Sequence, residues 1–429
     1  MSATGSSDDE SSSNDSIKYV DFIGKTIENY LFLTKIGNGV SSNVYIAFNL
    51  INNCFFAIKV INPDDIEIGE SELEILLKVR KLHNTNFSNI VSHFQYKYDD
   101  DTYLCMVFEL MACSLYDIIK QSIYSDDSEY DYKLNFNDVK LIIEQISNAI
   151  SSLHKIKIMH TDIKPENILI AGTSEKIEKI KQDFMNKYNK LNKKQKTRGA
   201  KQPLSRRSDC NDETKSNLEK VVKLLFEHHE PNDSYSSGED EQDDELHLWE
   251  SDTDSDNIKT VINDKLKYKI IITRPCNVQL TDFGNSINFK DMTVKEIQTR
   301  YYRAPEVIMK IPYTEQADLW SVGCLYYEIL TGYILFHPSK SKGFNRNRQH
   351  IYLIQKLLGR IPNELLVNSK RKHVIYKTNG LIKGAPDAKY IPLDIYLNDK
   401  LSNITIDKKY FIDKICNLLK YNPEERQLT

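Results

Sequence analysis

The chain has 429 residues, a formal net charge of −4 and seven cysteines. This length is enough for two packed lobes, and the balanced charge argues against a protein that is wholly a nucleic-acid binder. The cysteines form no C-x-x-C pair and no regular framework, which predicts a reducing, cytoplasmic compartment, with the nucleus as a second location. No window has the length and apolarity of a membrane-spanning helix.

The N-terminal region divides into a polar tail and a strand-rich segment. Residues 1–16 lack the apolar residues needed for a core, so residues 1–24 are predicted to be a disordered, acidic and Ser-rich tail. Residues 31–60 alternate and are rich in β-branched and aromatic residues, which predicts three strands. Gly37 and Gly39 lie between the first two strands, where glycines let backbone amides approach phosphates. A dinucleotide-binding fold is not favoured, because a strand and not a helix follows these glycines; a plain turn is the alternative.

Lys59 is the single charged residue in an otherwise apolar strand, Phe55–Val60. If its side chain points inward, it needs a partner of opposite charge; an exposed strand face is the alternative. The following segment has helical periodicity, and Glu72 lies one turn before Ile75 on its apolar face. Glu72 is therefore expected to face Lys59.

The segment around which the chain is organised runs from Ile158 to Ile170. Apolar runs flank a polar turn that contains the carboxylate of Asp162, the ammonium of Lys164 and the carboxamide of Asn167. These groups could take a proton, neutralise a transferring phosphoryl group and bind a hard cation, which is what phosphoryl transfer requires of a protein. The spacing from Asp162 to Asn167 is that of a protein-kinase catalytic loop. An Asp-containing turn that caps a loop is the alternative.

Residues 171–267 differ in composition from the rest of the chain. Lys176–Arg207 is basic, Glu227–Asp256 is rich in Asp, Glu and Ser, and Leu218–Phe226 could form a short amphipathic helix. The charge blocks predict a disordered spacer, because an ordered insertion of this length is unusual in a compact domain. A solvated tract is favoured over nucleic-acid binding by the basic part.

Ordered structure is predicted to resume at Tyr268. The strand that begins at Val278 ends in Asp282-Phe283-Gly284, and an aspartate at a strand end suits a Mg²⁺ ligand. Further along, Glu306 follows Ala304-Pro305, and Arg426 could pair with it because a buried carboxylate needs a partner.

Taken in order, these segments resemble a eukaryotic-type Ser/Thr protein kinase over about residues 30–170 and 268–429. The greatest similarity is to the SR-protein kinases, with CLK- and DYRK-like kinases second. Besides the charged spacer after Ile170, the motifs that carry this similarity are Ser42, Cys105–Glu109, His160–Asn167, Asp282–Asn285, Ile297–Arg300 and His350–Gly359.

The resemblance implies an α+β, bilobal kinase fold. A small N-lobe with an antiparallel sheet and one helix would span residues 25–111, and a larger, mostly helical C-lobe would span 112–170 and 268–429. ATP, Mg²⁺ and protein substrates with Ser or Thr are the implied ligands, and a monomer without a membrane partner is expected.

The resemblance also assigns roles to residues. Asp162 would accept the substrate proton, Lys164 would contact the γ-phosphate, and Asn167 and Asp282 would bind Mg²⁺. Lys59 would hold the α- and β-phosphates, with Glu72 orienting it and Phe108 as gatekeeper. The nucleotide-binding residues would be Ile36, Gly37, Asn38, Gly39, Val40, Ser41, Ser42, Asn43, Val44, Ala57, Lys59, Phe108, Glu109, Met111 and Leu169.

The sequence departs from common kinase patterns at three places. Thr161 replaces the usual arginine before the catalytic aspartate, as in SR-protein kinases, which predicts activity without phosphorylation of the activation loop. Where those kinases have the acids of their docking groove, this chain has Tyr333, Gln349 and Lys356, so processive Arg/Ser phosphorylation is not expected. The chain also stops at Thr429, before the closing helix expected in such kinases. A catalytically silent kinase fold that acts as a scaffold through its insert is the alternative function.

Overall fold

The computed structural model describes residues 20–124, 134–197, 212–226, 270–292, 296–339, 345–385 and 389–428. A six-stranded antiparallel sheet with the order β1-β2-β3-β4-β6-β5 forms the smaller lobe. Its strands are β1 (Thr26–Ile27), β2 (Tyr30–Asn38), β3 (Ser42–Asn49), β4 (Phe55–Ile61), β5 (Ile90–Tyr98) and β6 (Asp101–Glu109).

One helix, α1 (Ile66–Arg80), packs against β5 and β6 of this sheet. Its buried face contains Ile75, Leu76 and Val79, as the periodicity predicted, and Glu72 lies on the same face. The helix therefore carries a carboxylate toward the sheet at a position where a cation can meet it.

Two helices and several short strands follow the sheet. Helix α3 carries the predicted apolar stripe, and it begins with a reciprocal capping box between Asn135 and Asp138. These elements are β7 (Cys113–Ser114), α2 (Leu115–Tyr124), α3 (Phe136–Lys155), β8 (Ile158–Met159), β9 (Ile168–Ile170) and β10 (Gly172–Ser174).

The prediction of a disordered spacer is wrong for two parts of residues 171–267. Helix α4 (Glu175–Thr197) and helix α5 (Asp212–Phe226) are ordered and contact each other. Their apolar stripes share one core with β2 and β3: Leu31, Leu33, Ile46, Phe48, Leu50, Ile180, Phe184, Tyr188, Leu218, Val222 and Phe226. Both helices form because this core offsets the cost of ordering them, which the charge of the segment does not reveal. Residues 198–211 and 227–269 lie outside the described residues.

The predicted N-terminal tail also needs a correction. Residues 1–19 lie outside the described residues, but Phe22 is 1% exposed and packs against Phe32, Tyr45, Tyr96 and Tyr103. The end of the supposed tail is therefore part of the core of the smaller lobe, because an aromatic ring of this size gains most from burial.

The second half of the larger lobe is mostly helical, which confirms the predicted bilobal α+β fold. Helix α7 (Gln316–Thr331) is buried on nearly all sides and packs against α3 and α12 (Lys408–Leu418). The elements are β11 (Ile270–Ile272), β12 (Val278–Leu280), β13 (Ile287–Asn288), α6 (Pro305–Ile308), α7 (Gln316–Thr331), α8 (Arg346–Leu358), α9 (Asn363–Leu366), α10 (Lys372–Ile375), α11 (Leu393–Lys400) and α12 (Lys408–Leu418). No helix among the described residues is long and apolar enough to cross a membrane.

The predicted ion pair between Glu306 and Arg426 is confirmed. The two guanidinium nitrogens of Arg426 lie 2.6 and 2.8 Å from the two carboxylate oxygens of Glu306, and both side chains are buried. The guanidinium also donates to the carbonyl oxygen of Gln316 and lies over the ring of Trp320. This pair therefore ties the C-terminal segment to α6 and α7.

Arg426→Met is expected to lower the free energy of unfolding by about 3–5 kcal/mol, because it leaves the carboxylate of Glu306 buried without a counter-charge. Urea unfolding followed by circular dichroism measures this change. Arg80→Met on the exposed end of α1 is the matched control, with a change within about 0.5 kcal/mol. A loss of stability no larger than that of the control would contradict the structural role given to the pair.

Candidate active site

A short antiparallel pairing brings together two segments that are distant in the sequence. Strand β9 lies beside β12, with Leu169 opposite Gln279, and the amide of Thr281 donates to the carbonyl oxygen of Asn167 over 3.0 Å. Asp282 comes next, with φ of +63°, a left-handed conformation that costs a non-glycine residue energy and is common in active sites. The two predicted metal ligands, Asn167 and Asp282, thus lie at the same end of one small sheet.

Lys59 is the charged centre between the lobes. Its Nζ lies 2.8 Å from both carboxylate oxygens of Glu72, which confirms the predicted pairing, and 2.9 Å from Oδ1 of Asp282. Glu72 is a buried partner with 3% of its side chain exposed, whereas the side chain of Asp282 is 41% exposed. Asp282 is therefore the carboxylate of this cluster that remains open to a ligand.

Electrostatics keep Lys59 and Asp282 ionised. Burial alone would lower the pKa of Lys59, but the carboxylates of Asp282 and Glu72 outweigh it and raise that pKa above its ordinary value. The charge of Lys59 in turn lowers the pKa of Asp282 to about 2, against the opposing effect of burial. Asp282 thus keeps a full negative charge at neutral pH, as a ligand for a hard cation must.

Asp162 lies at the centre of a hydrogen-bond network and is 8% exposed. Its Oδ1 accepts the hydroxyl of Thr299 over 2.6 Å, while its Oδ2 lies 2.9 Å from Nζ of Lys164. The side-chain Nδ2 of Asn167 donates to the backbone carbonyl oxygen of Asp162 over 2.8 Å. This hydrogen bond fixes the orientation of the Asn167 carboxamide. The catalytic-loop residues named from the sequence are thus in direct contact with one another.

A buried aspartate and the ring of His160 hold this loop in place. Both carboxylate oxygens of the fully buried Asp318 accept backbone amides of the loop, from His160 over 2.8 Å and from Thr161 over 2.9 Å. The ring of His160 packs against Phe283 and lies 3.0 Å from the carbonyl oxygen of Thr281. A buried aspartate therefore satisfies backbone donors that the turn would otherwise leave unpaired.

The predicted nucleotide-binding residues lie on β2, β3, β4, β6 and β9 and on the segments next to these strands. Ala57 is opposite Phe108 in the β4–β6 ladder, and the amide of Ala112, after Met111, donates to Ile170, next to Leu169 on β9. Most of the remaining ones form the β2–β3 turn, where residues 38–40 are exposed.

The two glycines of this turn lie where a side chain would be crowded. A Cβ added at Gly37 would lie 3.3 Å from Cβ of Val44, and one added at Gly39 would lie 3.2 Å from the carbonyl oxygen of Ser42. Both distances are tighter than ordinary side-chain contacts, so the turn suits residues without a Cβ. The amide of Gly39 closes the turn by donating to the carbonyl oxygen of Ser42 over 2.8 Å.

The sequence interpretation gave no role to Thr299, although the residue lies in a motif that the interpretation quoted. Its hydroxyl touches Oδ1 of Asp162 and also accepts from Nζ of Lys164 over 3.2 Å. A threonine shortly before Ala304-Pro305-Glu306 was the available signal, but only the folded chain shows that it reaches the catalytic loop.

Comparisons with known proteins agree with this geometry. A family model described as the protein kinase domain matches residues 30–202 and 259–428. A protein of Acanthamoeba polyphaga mimivirus that carries the name serine/threonine-protein kinase is 30% identical, over 86% of this chain and 79% of that protein. Two further relatives are the serine/threonine-protein kinases SKY1 of Saccharomyces cerevisiae, 22% identical over 92% of this chain and 72% of its own, and SRPK of Physarum polycephalum, 26% identical over 83% and 72%.

A two-lobed fold with a Lys–Glu–Asp cluster facing an Asp–Lys–Asn loop defines a phosphotransferase that acts on proteins. The chain belongs to the protein kinase family. Within that family it is similar to the SR-protein kinases, as the sequence motifs indicated.

Proposed function

We propose that the protein transfers the γ-phosphoryl group of ATP to serine and threonine hydroxyls of protein substrates, with Mg²⁺ as the metal. The observation that carries the proposal is the simultaneous contact of Lys59 with Glu72 and with Asp282. In protein kinases the lysine–glutamate pair and the metal-binding aspartate must both be in place for phosphoryl transfer.

Asp162 is the base in this mechanism. The hydroxyl of Thr299 and the ammonium of Lys164 orient its carboxylate, which accepts the proton of the attacking hydroxyl. The charges of Lys164 and Lys59 offset the negative charge of the phosphates during transfer. Lys164 touches Asp162 before substrate binds, so little reorganisation is needed when the γ-phosphate arrives.

The residues present fit a magnesium ion. Mg²⁺ prefers oxygen ligands, and the ionised carboxylate of Asp282 together with the carboxamide of Asn167 supplies two. When bound, the ion would neutralise phosphate charge. Because Asp282 also contacts Lys59, this chain holds the metal-binding carboxylate beside the phosphate-binding cation.

Ordering of the activation segment without phosphate is part of the proposal. The hydroxyl of Thr161 donates to the carbonyl oxygen of Asn285 over 2.7 Å, where a kinase with arginine would present a cation. The buried guanidinium of Arg303 donates to the carbonyl oxygen of Gln298 and pairs with Glu296. These contacts support the proposal that the enzyme is active without phosphorylation of the activation segment. A cytoplasmic monomer stays a prediction from the sequence.

Purified protein incubated with radiolabelled ATP, Mg²⁺ and a mixed peptide panel is expected to label serine and threonine. Removal of Mg²⁺ with EDTA should stop the labelling, and readdition should restore it. Pretreatment with a phosphatase should leave the rate unchanged. Nucleotide binding without turnover on any peptide would instead favour a scaffold with a kinase fold.

A further inference from the structure

The surface around α8 has a charge opposite to that of the whole chain. Ten of the twelve charged residues between positions 345 and 392 are Lys or Arg, whereas the formal net charge of the protein is −4. We call the surface formed by Arg346, Arg348 and Lys356 on α8 the basic face. A positive field of this kind raises the local concentration of anionic partners.

Helix α8 provides a regular row of side chains on this face. Arg348, Tyr352 and Lys356 follow one another at intervals of four residues and therefore lie along one side of the helix. They are half-buried, while the opposite side of α8 packs into the core through Ile351 and Ile354. The row thus places two half-buried cations on one side of the helix, with an aromatic ring between them.

The cations of this row are held in place but not neutralised. Nε of Arg348 donates to the carbonyl oxygen of Val374 over 3.0 Å, and Nζ of Lys356 lies 6.0 Å from the ring centre of Tyr352. Neither makes an ion pair with a carboxylate in the ranges that the structure describes. Their full charge is therefore available to a partner, at a low cost in side-chain entropy.

The basic face adjoins the catalytic centre. Thr299, which touches Asp162, is followed by Arg300, whose Nη1 lies 2.9 Å from Oδ1 of Asn347 on α8. Arg346 and Arg348 flank Asn347 in the first turn of that helix. A polypeptide with its hydroxyl at Asp162 thus has its next few residues within reach of these cations.

We propose that the basic face binds an acidic segment of the protein substrate, next to the residue that is phosphorylated. The inference rests on the proposed kinase function and gives it a substrate class. It reverses what the resemblance alone suggests, because SR-protein kinases have acids where this chain has Gln349 and Lys356. A protein segment is favoured over nucleic acid because the face continues into the site where a protein hydroxyl must be held.

The experiment compares peptides that contain a single serine and one block of six residues. In one series the block precedes the serine, and in a second series it follows the serine. The block is made of Asp and Glu, of Asn and Gln, or of Arg. The acidic peptide is expected to have a KM about 10-fold lower than that of the neutral peptide and an unchanged kcat, and the Arg peptide the highest KM. Raising the salt from 50 to roughly 300 mM should remove most of the difference, because exposed charges are then screened.

The double variant Arg348→Glu, Lys356→Glu tests the residues themselves. It is expected to lose the preference for the acidic block and to favour the Arg peptide, with kcat on the neutral peptide unchanged. Lys409→Glu, an exposed position on α12, is the matched control and should retain the preference of the unmodified protein. Equal KM values for the acidic and neutral peptides, or an acid preference that survives the double variant, would overturn the proposal.

A binding measurement separates this proposal from the proposed function. A fluorescent acidic peptide with alanine in place of serine should bind the unmodified protein and the Asp162→Asn variant equally, and the double variant about 10-fold more weakly. Binding of that kind without turnover would remove the kinase function but keep the acidic site. A single-stranded oligonucleotide that binds more tightly than the peptide, and loses affinity in the double variant, would replace the acidic protein segment with nucleic acid.

Discussion

Asp162→Asn is expected to lower kcat at least ~100-fold, because an amide of the same shape cannot accept the proton of the attacking hydroxyl. The hydroxyl of Thr299 can still donate to the remaining oxygen, so the fold and the KM for ATP should change little. Steady-state kinetics on a serine peptide, with thermal unfolding in parallel, measures both quantities.

Asp101→Asn, an exposed position at the start of β6, serves as the control and should keep full activity. An Asp162→Asn variant with the kcat of the unmodified protein would remove Asp162 as the base. Loss of ATP affinity together with loss of kcat would point to collapse of the loop instead, because Asp162 also anchors Lys164 and Asn167.

Phe184→Ala in α4 is expected to cost about 3–5 kcal/mol of unfolding free energy, which is the usual range for removing a buried phenylalanine. The side chain is fully buried, and its ring centre lies 4.9 Å from that of Phe48 on β3 and 5.7 Å from that of Tyr188. Urea unfolding gives the change in stability, and hydrogen exchange should show faster exchange in β2 and β3 if α4 leaves the sheet.

Leu224→Ala on α5 is a matched control, because 85% of that side chain is exposed and its loss should change stability by no more than about 0.5 kcal/mol. Equal unfolding curves for Phe184→Ala and Leu224→Ala would mean that α4 does not pack on the sheet in solution.

The pairing of Lys59 with Glu72 and the groups of the catalytic turn could be predicted because each depends on a pattern that is local in the sequence. The period of α1 placed Glu72 on its buried face, and an isolated cation in an apolar strand had to find a partner there. The turn from Asp162 to Asn167 carries its functional groups within six residues, so its chemistry is readable before its surroundings are known. Asp282 was identified by a strand end and a following glycine.

The contacts that support the loop were not readable in this way. Asp318 and Thr299 reach the catalytic turn across the larger lobe, and no spacing in the sequence records which backbone amide or carboxylate they meet. The charge of α8 was visible in Lys356, but the row formed with Arg348 and its link to Arg300 through Asn347 required the folded chain.

By itself, the sequence determined the pairing of Lys59 with Glu72 and the groups of the phosphoryl-transfer turn, because residue type and helical or strand period fix these locally. The two-lobed class and the missing acids at Gln349 and Lys356 were implied by the resemblance to protein kinases. Tertiary structure alone decided that α4 and α5 pack against β2 and β3. The apolar stripe of α4 is diluted by lysines, and its partner is the second face of a sheet whose continuous run Leu31-Phe32-Leu33 is buried on both sides. The positions of α4 and α5 therefore follow from the contact between the two apolar surfaces.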